Sequence, residues 1–212
     1  MLVKELLKGL NLQSVKGSID IEINSIAYDS RKVRKGFLFV CIEGMKVDGH
    51  NYVNDAIENG AKALLVQKDV GVPEGITVIR IDDTRLGLAF VSAAFYHHPS
   101  ERLSLVGITG TKGKTTTTYM VKSILEKHGQ KVGLIGTVAN IIGDEILYAE
   151  RTTPESHDLQ ALFAEMIEKK VNSVVMEVSS QGLQLHRVSC SDFDIGVFTN
   201  LSRDHIGPNE HN

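Results

Sequence analysis

An apolar run, Val106-Gly107-Ile108-Thr109, passes directly into Gly110-Thr111-Lys112-Gly113-Lys114-Thr115-Thr116, and these residue types in this order suit the gripping of a polyphosphate such as that of ATP. Gly110 and Gly113 allow a tight turn whose N–H groups point inward, Lys114 adds a compact cation, and Thr115 offers a hydroxyl to Mg²⁺. The strict pattern G-x-x-x-x-G-K-[ST] would want glycine where Ile108 stands, so the match is to a variant loop, G-T-x-G-K-T-T. A dinucleotide-binding turn fits less well, because Gly113 is followed at once by Lys114. The bland alternative is a glycine-rich strand-to-helix turn with no ligand.

Three further polar clusters follow apolar runs, the place where open parallel sheets bind their ligands. Glu177 closes Val174-Val175-Met176; it is either a Mg²⁺ ligand or a buried carboxylate paired to a lysine. Thr199-Asn200-Leu201-Ser202-Arg203-Asp204-His205 follows Ile195 to Phe198, with Asp204 and His205 as metal or water-orienting candidates. Arg151-Thr152-Thr153-Pro154-Glu155-Ser156 resembles a helix start with Thr153 as cap and Pro154 as first helical residue, and its N–H groups also suit an anion. Arg187 is able to clamp a carboxylate in a bidentate fork, or to lie on the surface. Asp29-Ser30-Arg31 and Glu43-Gly44-Met45-Lys46-Val47-Asp48-Gly49-His50 also read as plain turn chemistry.

The elements that must carry these residues alternate. Helices are expected at Leu2 to Leu10, Tyr52 to Asn59, Arg85 to Tyr96, Thr116 to His128 and Ser156 to Lys169. In the fourth, Tyr119, Met120, Ile124 and Leu125 are expected to face inward. Strands are expected at Ile21 to Tyr28, Phe37 to Ile42, Ala63 to Val66, Thr77 to Ile81, Leu103 to Ile108, Lys131 to Ile135, Ser173 to Val178 and Ile195 to Thr199, with a hairpin around Gly143-Asp144. The order predicts an α/β protein: an N-terminal mixed α/β domain over 1–98, then a mainly parallel-sheet, P-loop-containing ATPase domain over 99–212. No closing helix or strand follows Asn200, so the second domain reads as truncated.

Composition narrows the class. At 212 residues and 42% apolar content the chain suits one large or two small soluble domains. No membrane span or signal peptide is visible, which makes the cytoplasm the default. A net charge of −3 without a basic stripe argues against nucleic acid as partner. Cys41 and Cys190 are expected as buried free thiols, and the eight histidines form no H-x-x-x-H pair, which argues against zinc.

Six motifs in register, Asp29-Ser30-Arg31, Asp48-Gly49-His50, Gly110 to Thr116, Thr152-Thr153-Pro154, Met176 to Ser180 and Thr199 to His205, resemble the Mur ligases, and among them the MurE type. The resemblance spans nearly the whole chain. It implies a three-domain enzyme: a UDP-binding domain, a central ATPase domain and a C-terminal domain for the incoming amino acid, the last lying beyond Asn212 together with a carbamylated lysine. It implies ATP and Mg²⁺ as cofactors, and UDP-N-acetylmuramoyl-L-alanyl-D-glutamate and a diamino acid, diaminopimelate or lysine, as substrates. By the same resemblance Lys114, Glu177 and His205 are catalytic, with Thr115, Glu177 and His205 as Mg²⁺ ligands. Gly110, Thr111, Lys112, Gly113, Lys114, Thr115 and Thr116 would hold ATP. Ser30, Met45, Lys46 and Val47 would lie by the uridine, and Thr152, Thr153, Ser179 and Arg187 by the muramoyl dipeptide. The sequence departs from the family pattern at Gln181, where histidine is frequent, and at Leu185, where a glutamine can occur; Gln184 stands one place earlier. The chain alone is expected not to turn over. A non-catalytic binding module is the rival reading. A kinase or switch GTPase would lack its Asn-Lys-x-Asp signature, and the folylpolyglutamate synthases lack the first domain.

Overall fold

The computed structural model describes residues 1–44 and 47–203. It separates into two compact units, Met1–His97 and His98–Asn212.

The first unit is built on strands β1 (Ser14–Lys16), β2 (Ser25–Ala27), β3 (Phe37–Val40), β4 (Ala61–Val66) and β5 (Thr77–Arg80), in the spatial order β1-β5-β4-β3-β2. Only β1 runs antiparallel to its neighbour. The helices are α1 (Val3–Leu6), α2 (Val53–Glu58) and α3 (Thr84–Phe95). The first is much shorter than the expected nine-residue run, because Leu7 to Gly9 turn away at a glycine with φ +86°. Alternate strand residues serve opposite faces. Leu38, Val40, Leu65 and Ile79 meet Leu6, Leu88 and Val91, while Phe39, Leu64 and Val66 meet Val53 and Ala56. Asp83 caps α3 by accepting from the N–H groups of Arg85 and Leu86.

The second unit carries β6 (Ser104–Thr109), β7 (Val132–Ile135), β8 (Asn140–Ile142), β9 (Glu145–Leu147), β10 (Ser173–Glu177) and β11 (Ile195–Phe198), ordered β11-β6-β10-β7-β8-β9. The first four positions of that order are parallel, and the hairpin β8–β9 closes the far edge antiparallel, turning at Gly143-Asp144. Parallel strands covered on both faces need continuous apolar runs. Accordingly, Leu105, Val174 and Met176 pack on Leu159, Phe163 and Met166 of α5 (Ser156–Glu168), whereas Val106, Ile108, Val132 and Val175 face α4 (Lys114–Lys127). Phe163 is fully buried, a burial that stabilises by about 2–3 kcal/mol. A short α6 (Ser180–Gln184) follows β10.

The rotational phase of α4 differs from expectation. Thr118 is fully buried and Val121 and Leu125 pack inward, while Met120 and Ile124 are more than 60% exposed and Tyr119 lies at the margin. The helix begins at Lys114, directly out of the loop. The loop geometry therefore fixes which stripe meets the sheet, and the 118/121/125 spacing is the one that fits.

Candidate functional site

Adjacent parallel strands end side by side, so the loops after β6, β10 and β7 converge. After β6, Gly110 takes φ +133° and Gly113 φ +83°, backbone regions in which glycine is favoured. A Cβ on Gly110 would also lie 2.9 Å from the Asn200 carbonyl oxygen and clash with the Thr199 hydroxyl. Gly113 then serves as the N-cap of α4, and the free N–H groups of that helix start favour an anion. The Lys114 ammonium reaches back across the loop to the carbonyls of Gly110 (2.7 Å) and Thr111 (3.2 Å).

The segment after β11 braces this loop from the side. Asn200 accepts from the N–H of Thr111 through its carbonyl (3.0 Å) and from the N–H of Lys112 through its side chain (3.1 Å), and its amide donates to the Lys112 carbonyl (2.9 Å). Thr199 donates to the same carbonyl at 2.8 Å, and the N–H of Ser202 donates to the Thr111 hydroxyl at 3.0 Å. Among the described residues of the polar cluster after Phe198, Thr199, Asn200 and Ser202 hold the loop. Asp204 and His205 lie outside the described residues, as do Met45 and Lys46.

Glu177 is 1% exposed. Its partners are not cationic: one carboxylate oxygen accepts from the Thr115 hydroxyl (2.9 Å) and the Thr137 hydroxyl (3.1 Å), the other from the Thr137 N–H (3.0 Å). The lysine-paired alternative is thereby set aside among the described residues. A Cβ on Gly136 would collide with this carboxyl group, so the turn after β7 wraps it closely. Thr115 and Glu177 together present hard oxygen donors beside the phosphate loop, the set that Mg²⁺ takes alongside phosphate oxygens and water. Among the described residues no group of three or more His, Cys, Asp or Glu side chains could hold a metal ion by itself.

The Thr152-Thr153 pair divides its labour. Thr152 is half-buried, and its hydroxyl lies 3.0 Å from that of Thr137. Thr153 is fully buried and does not cap α5, whose N-cap is Glu155 and whose first residue is Ser156. Its hydroxyl instead donates to the Glu177 carbonyl (3.0 Å) and accepts from the Ser179 N–H (3.0 Å). The expected capping role fails because Pro154 and Glu155 stay extended and move the helix start two residues on. Ser179 caps α6 through the Gly182 N–H at 3.0 Å. Arg187 is not a surface residue: its side chain is 11% exposed, pairs with Glu155 at 3.4 Å and donates to the Thr153 carbonyl at 3.3 Å. Gln181 and Gln184 are exposed on α6.

In the first unit Ser30 is buried and opens a 3-10 turn after β2, with its carbonyl accepting from Asn59 at 3.0 Å. Val47, 55% exposed, belongs to the loop after the neighbouring β3. Beyond that loop Asp48 accepts from both the N–H (2.9 Å) and the ring Nδ1 (2.6 Å) of His50, and from Lys68 (2.9 Å). His50 Nε2 accepts from the Gln67 N–H at 3.1 Å, which places the neutral ring's proton on Nδ1. Burial works to raise the Asp48 pKa, but the bonds from Lys68 and His50 outweigh it and hold the carboxyl well below the usual range. Asp48, His50 and Lys68 edge a polar cavity of about 360 Å³.

A parallel sheet whose first strand feeds a glycine-rich loop, a lysine and a threonine opposite a buried strand-end carboxylate defines a nucleotide-binding domain of the phosphate-loop class. The comparisons with known proteins narrow it. The model of the Mur ligase family catalytic domain matches residues 22–96, and that of the Mur ligase middle domain residues 108–211. The chain belongs to the Mur ligase family. It is 50% identical over 206 residues to a UDP-N-acetylmuramoyl-L-alanyl-D-glutamate–2,6-diaminopimelate ligase of Clostridium perfringens, covering 97% of this chain and 43% of that protein. A ligase of the same name from Alkaliphilus metalliredigens is 50% identical over 211 residues, 100% of this chain and 43% of the relative. The chain thus spans about two fifths of the length of these relatives. A solved structure of a ligase of this name superposes with a TM-score of 0.82 at 23% identity, over 99% of this chain and 42% of that one. A MurF ligase from Thermotoga maritima in complex with ADP gives 0.57 at 22% identity, over 85% of this chain and 38% of that one. These two likenesses bear on the fold.

The sequence reasoning passed over Thr137 and Glu155. Thr137 stands just past the apolar run of β7, the same strand-end position that singled out Glu177, so a signal for it was present. Glu155 carries none, since its pairing with Arg187 depends on the chain's return 32 residues later.

Proposed function

We propose that this chain forms the nucleotide-binding and muramoyl-substrate-binding part of an ATP-dependent amide ligase that adds a diamino acid to UDP-N-acetylmuramoyl-L-alanyl-D-glutamate, in the cytoplasm and without nucleic acid or membrane as partner. No helix among the described residues is long and apolar enough to cross a membrane. The reading rests above all on the convergence of the Gly110–Thr116 loop with buried Glu177, whose carboxylate lies 2.9 Å from the Thr115 hydroxyl. The relatives' printed names supply the substrate, with 2,6-diaminopimelate as the favoured diamino acid.

In this reading the loop N–H groups and Lys114 hold the ATP phosphates, while Thr115 and Glu177 hold Mg²⁺. The ion supplies charge neutralisation on the phosphates. A carboxylate is a poor electrophile until it carries a leaving group. The D-glutamate carboxylate therefore takes the γ-phosphoryl group with loss of ADP, and the amine of the diamino acid then displaces phosphate to form the amide. Such transfers depend on positioning and on fixed charges. Thr152, Ser179 and Arg187 are assigned to the dipeptide, and buried Thr153 orients Ser179 and the Glu177 backbone. Ser30 and the Met45–Val47 loop are assigned to the uridine, and His205 to a second Mg²⁺.

Calorimetric titration of the chain with UDP-N-acetylmuramoyl-L-alanyl-D-glutamate, beside UDP alone, tests this. Binding that strengthens with the dipeptide is the expected outcome. Equal affinity for both ligands, or none for either, would overturn the substrate assignment.

A further inference from the structure

Thr137 lies between the Glu177 carboxylate and the Thr152 hydroxyl. Thr137 donates its backbone N–H to one Glu177 oxygen (3.0 Å), places its hydroxyl 3.1 Å from the other, and stands 3.0 Å from the Thr152 hydroxyl. The distances alone leave the direction of the last bond open. The chemistry of the partners closes it. An ionised carboxylate only accepts, and a hydroxyl has a single proton to give. Thr137 spends that proton on Glu177, so the proton in the Thr137–Thr152 bond must come from Thr152. Thr115, whose hydroxyl donates to the same carboxylate oxygen, is oriented in the same way.

We infer that Thr137 is a positioning residue that fixes the polarity of Thr152, so that Thr152 offers a ligand only lone pairs and recognises an amide N–H of the muramoyl dipeptide rather than a carboxylate or phosphate oxygen. The inference rests on the proposed substrate. The order of bonds runs Thr152 to Thr137 to Glu177, and Thr115 to Glu177, so the buried carboxylate orients hydroxyls on both the phosphate-loop side and the Thr152 side. A carboxylate ligand at Thr152 would set one acceptor against another, with no proton between them.

The test needs no substitution to begin. Titrate the wild-type chain with UDP-N-acetylmuramoyl-L-alanyl-D-glutamate and with two analogues, in each of which one of the two amide N–H groups of the dipeptide portion is replaced by an ester oxygen. One of the esters should bind about 3- to 10-fold more weakly, the worth of one neutral hydrogen bond, and that penalty should vanish in Thr152→Val. In Thr137→Val the Thr152 proton is released to turn outward. The parent ligand should then weaken by a similar factor and the ester penalty should shrink, while Thr137→Ser should behave as wild type. A merely structural role for Thr137 would lower affinity for both ligands equally and leave the ester penalty intact. Equal binding of the parent and both esters by the wild-type chain would overturn the inference while leaving the substrate assignment standing. Failure of the parent ligand to bind wild type would overturn both.

Discussion

Glu177→Gln separates the charge of this residue from its shape. The side chain is 1% exposed and accepts three bonds, from the Thr115 hydroxyl, the Thr137 hydroxyl and the Thr137 N–H. A glutamine amide group cannot replace the oxygen facing the Thr137 N–H, because two donors would then oppose each other. Its oxygen must take that place and its NH₂ must face the two hydroxyls. Both hydroxyls must then reverse and accept, and the Thr115 proton swings toward the phosphate loop. Three charge-assisted bonds of about 1.5–3 kcal/mol become neutral ones of about 0.5–1.5 kcal/mol. Removal of a buried charge offsets much of that loss, so the variant should melt close to wild type. Ligand binding has no such offset, since a metal ion would meet a proton at Thr115 and no anion at position 177. Mg²⁺-dependent ADP binding should weaken by about 10²-fold, or ~2.7 kcal/mol, when titrated calorimetrically with and without EDTA. A variant that binds Mg²⁺-ADP within threefold of wild type, with the same sensitivity to EDTA, would refute the assignment of Thr115 and Glu177 to the metal.

Other consequences are as direct. Gly110→Ala must hold a side chain at φ +133° and against the Asn200 carbonyl, a strain of about 1–3 kcal/mol that should lower the melting temperature and abolish measurable ADP binding. Asp48 has a depressed pKa in the fold, so its contribution is fully present above its unfolded value near 3.9 and is lost as pH falls through the folded value. Asp48→Asn should therefore cost about 1–2 kcal/mol in urea unfolding at pH 7, with a difference from wild type that shrinks steadily below pH 4; a constant difference would contradict the pairing with Lys68 and His50. Burial, helped by the Asp48 charge, pushes the Cys41 thiol up to about 12, whereas Cys190 is only half-buried and is raised by burial alone. In a native thiol titration with DTNB, Cys190 should react and Cys41 should stay inert until the chain unfolds.

How much was legible in the chain follows from the range of the interactions involved. The phosphate loop, the strands flanking it, the β8–β9 hairpin and the mainly parallel character of the second sheet rest on contacts within a few residues or on patterns of period 2 and 3.6. Such signals survive without knowledge of partners. Glu177 was also visible, because a carboxylate ending an apolar strand is costly unless something meets it. What meets it was not visible. Thr115 and Thr137 lie 62 and 40 residues away in sequence, and they reach Glu177 only because β6 and β7 flank β10 in the sheet. The same holds for Thr153, whose local setting reads as a helix cap but whose hydroxyl is claimed by the end of β10. It holds for Arg187 too, which looks like a surface residue until the chain's return brings Glu155 beside it. The face of α4 belongs here as well, since the loop from which the helix emerges sets its rotation: Leu125 packs inward as hydrophobicity favoured, but Met120 and Ile124 prove exposed. Local chemistry thus names the groups, whereas strand order and helix phase, which depend on packing across the whole sheet, determine which groups touch and in which direction their protons point.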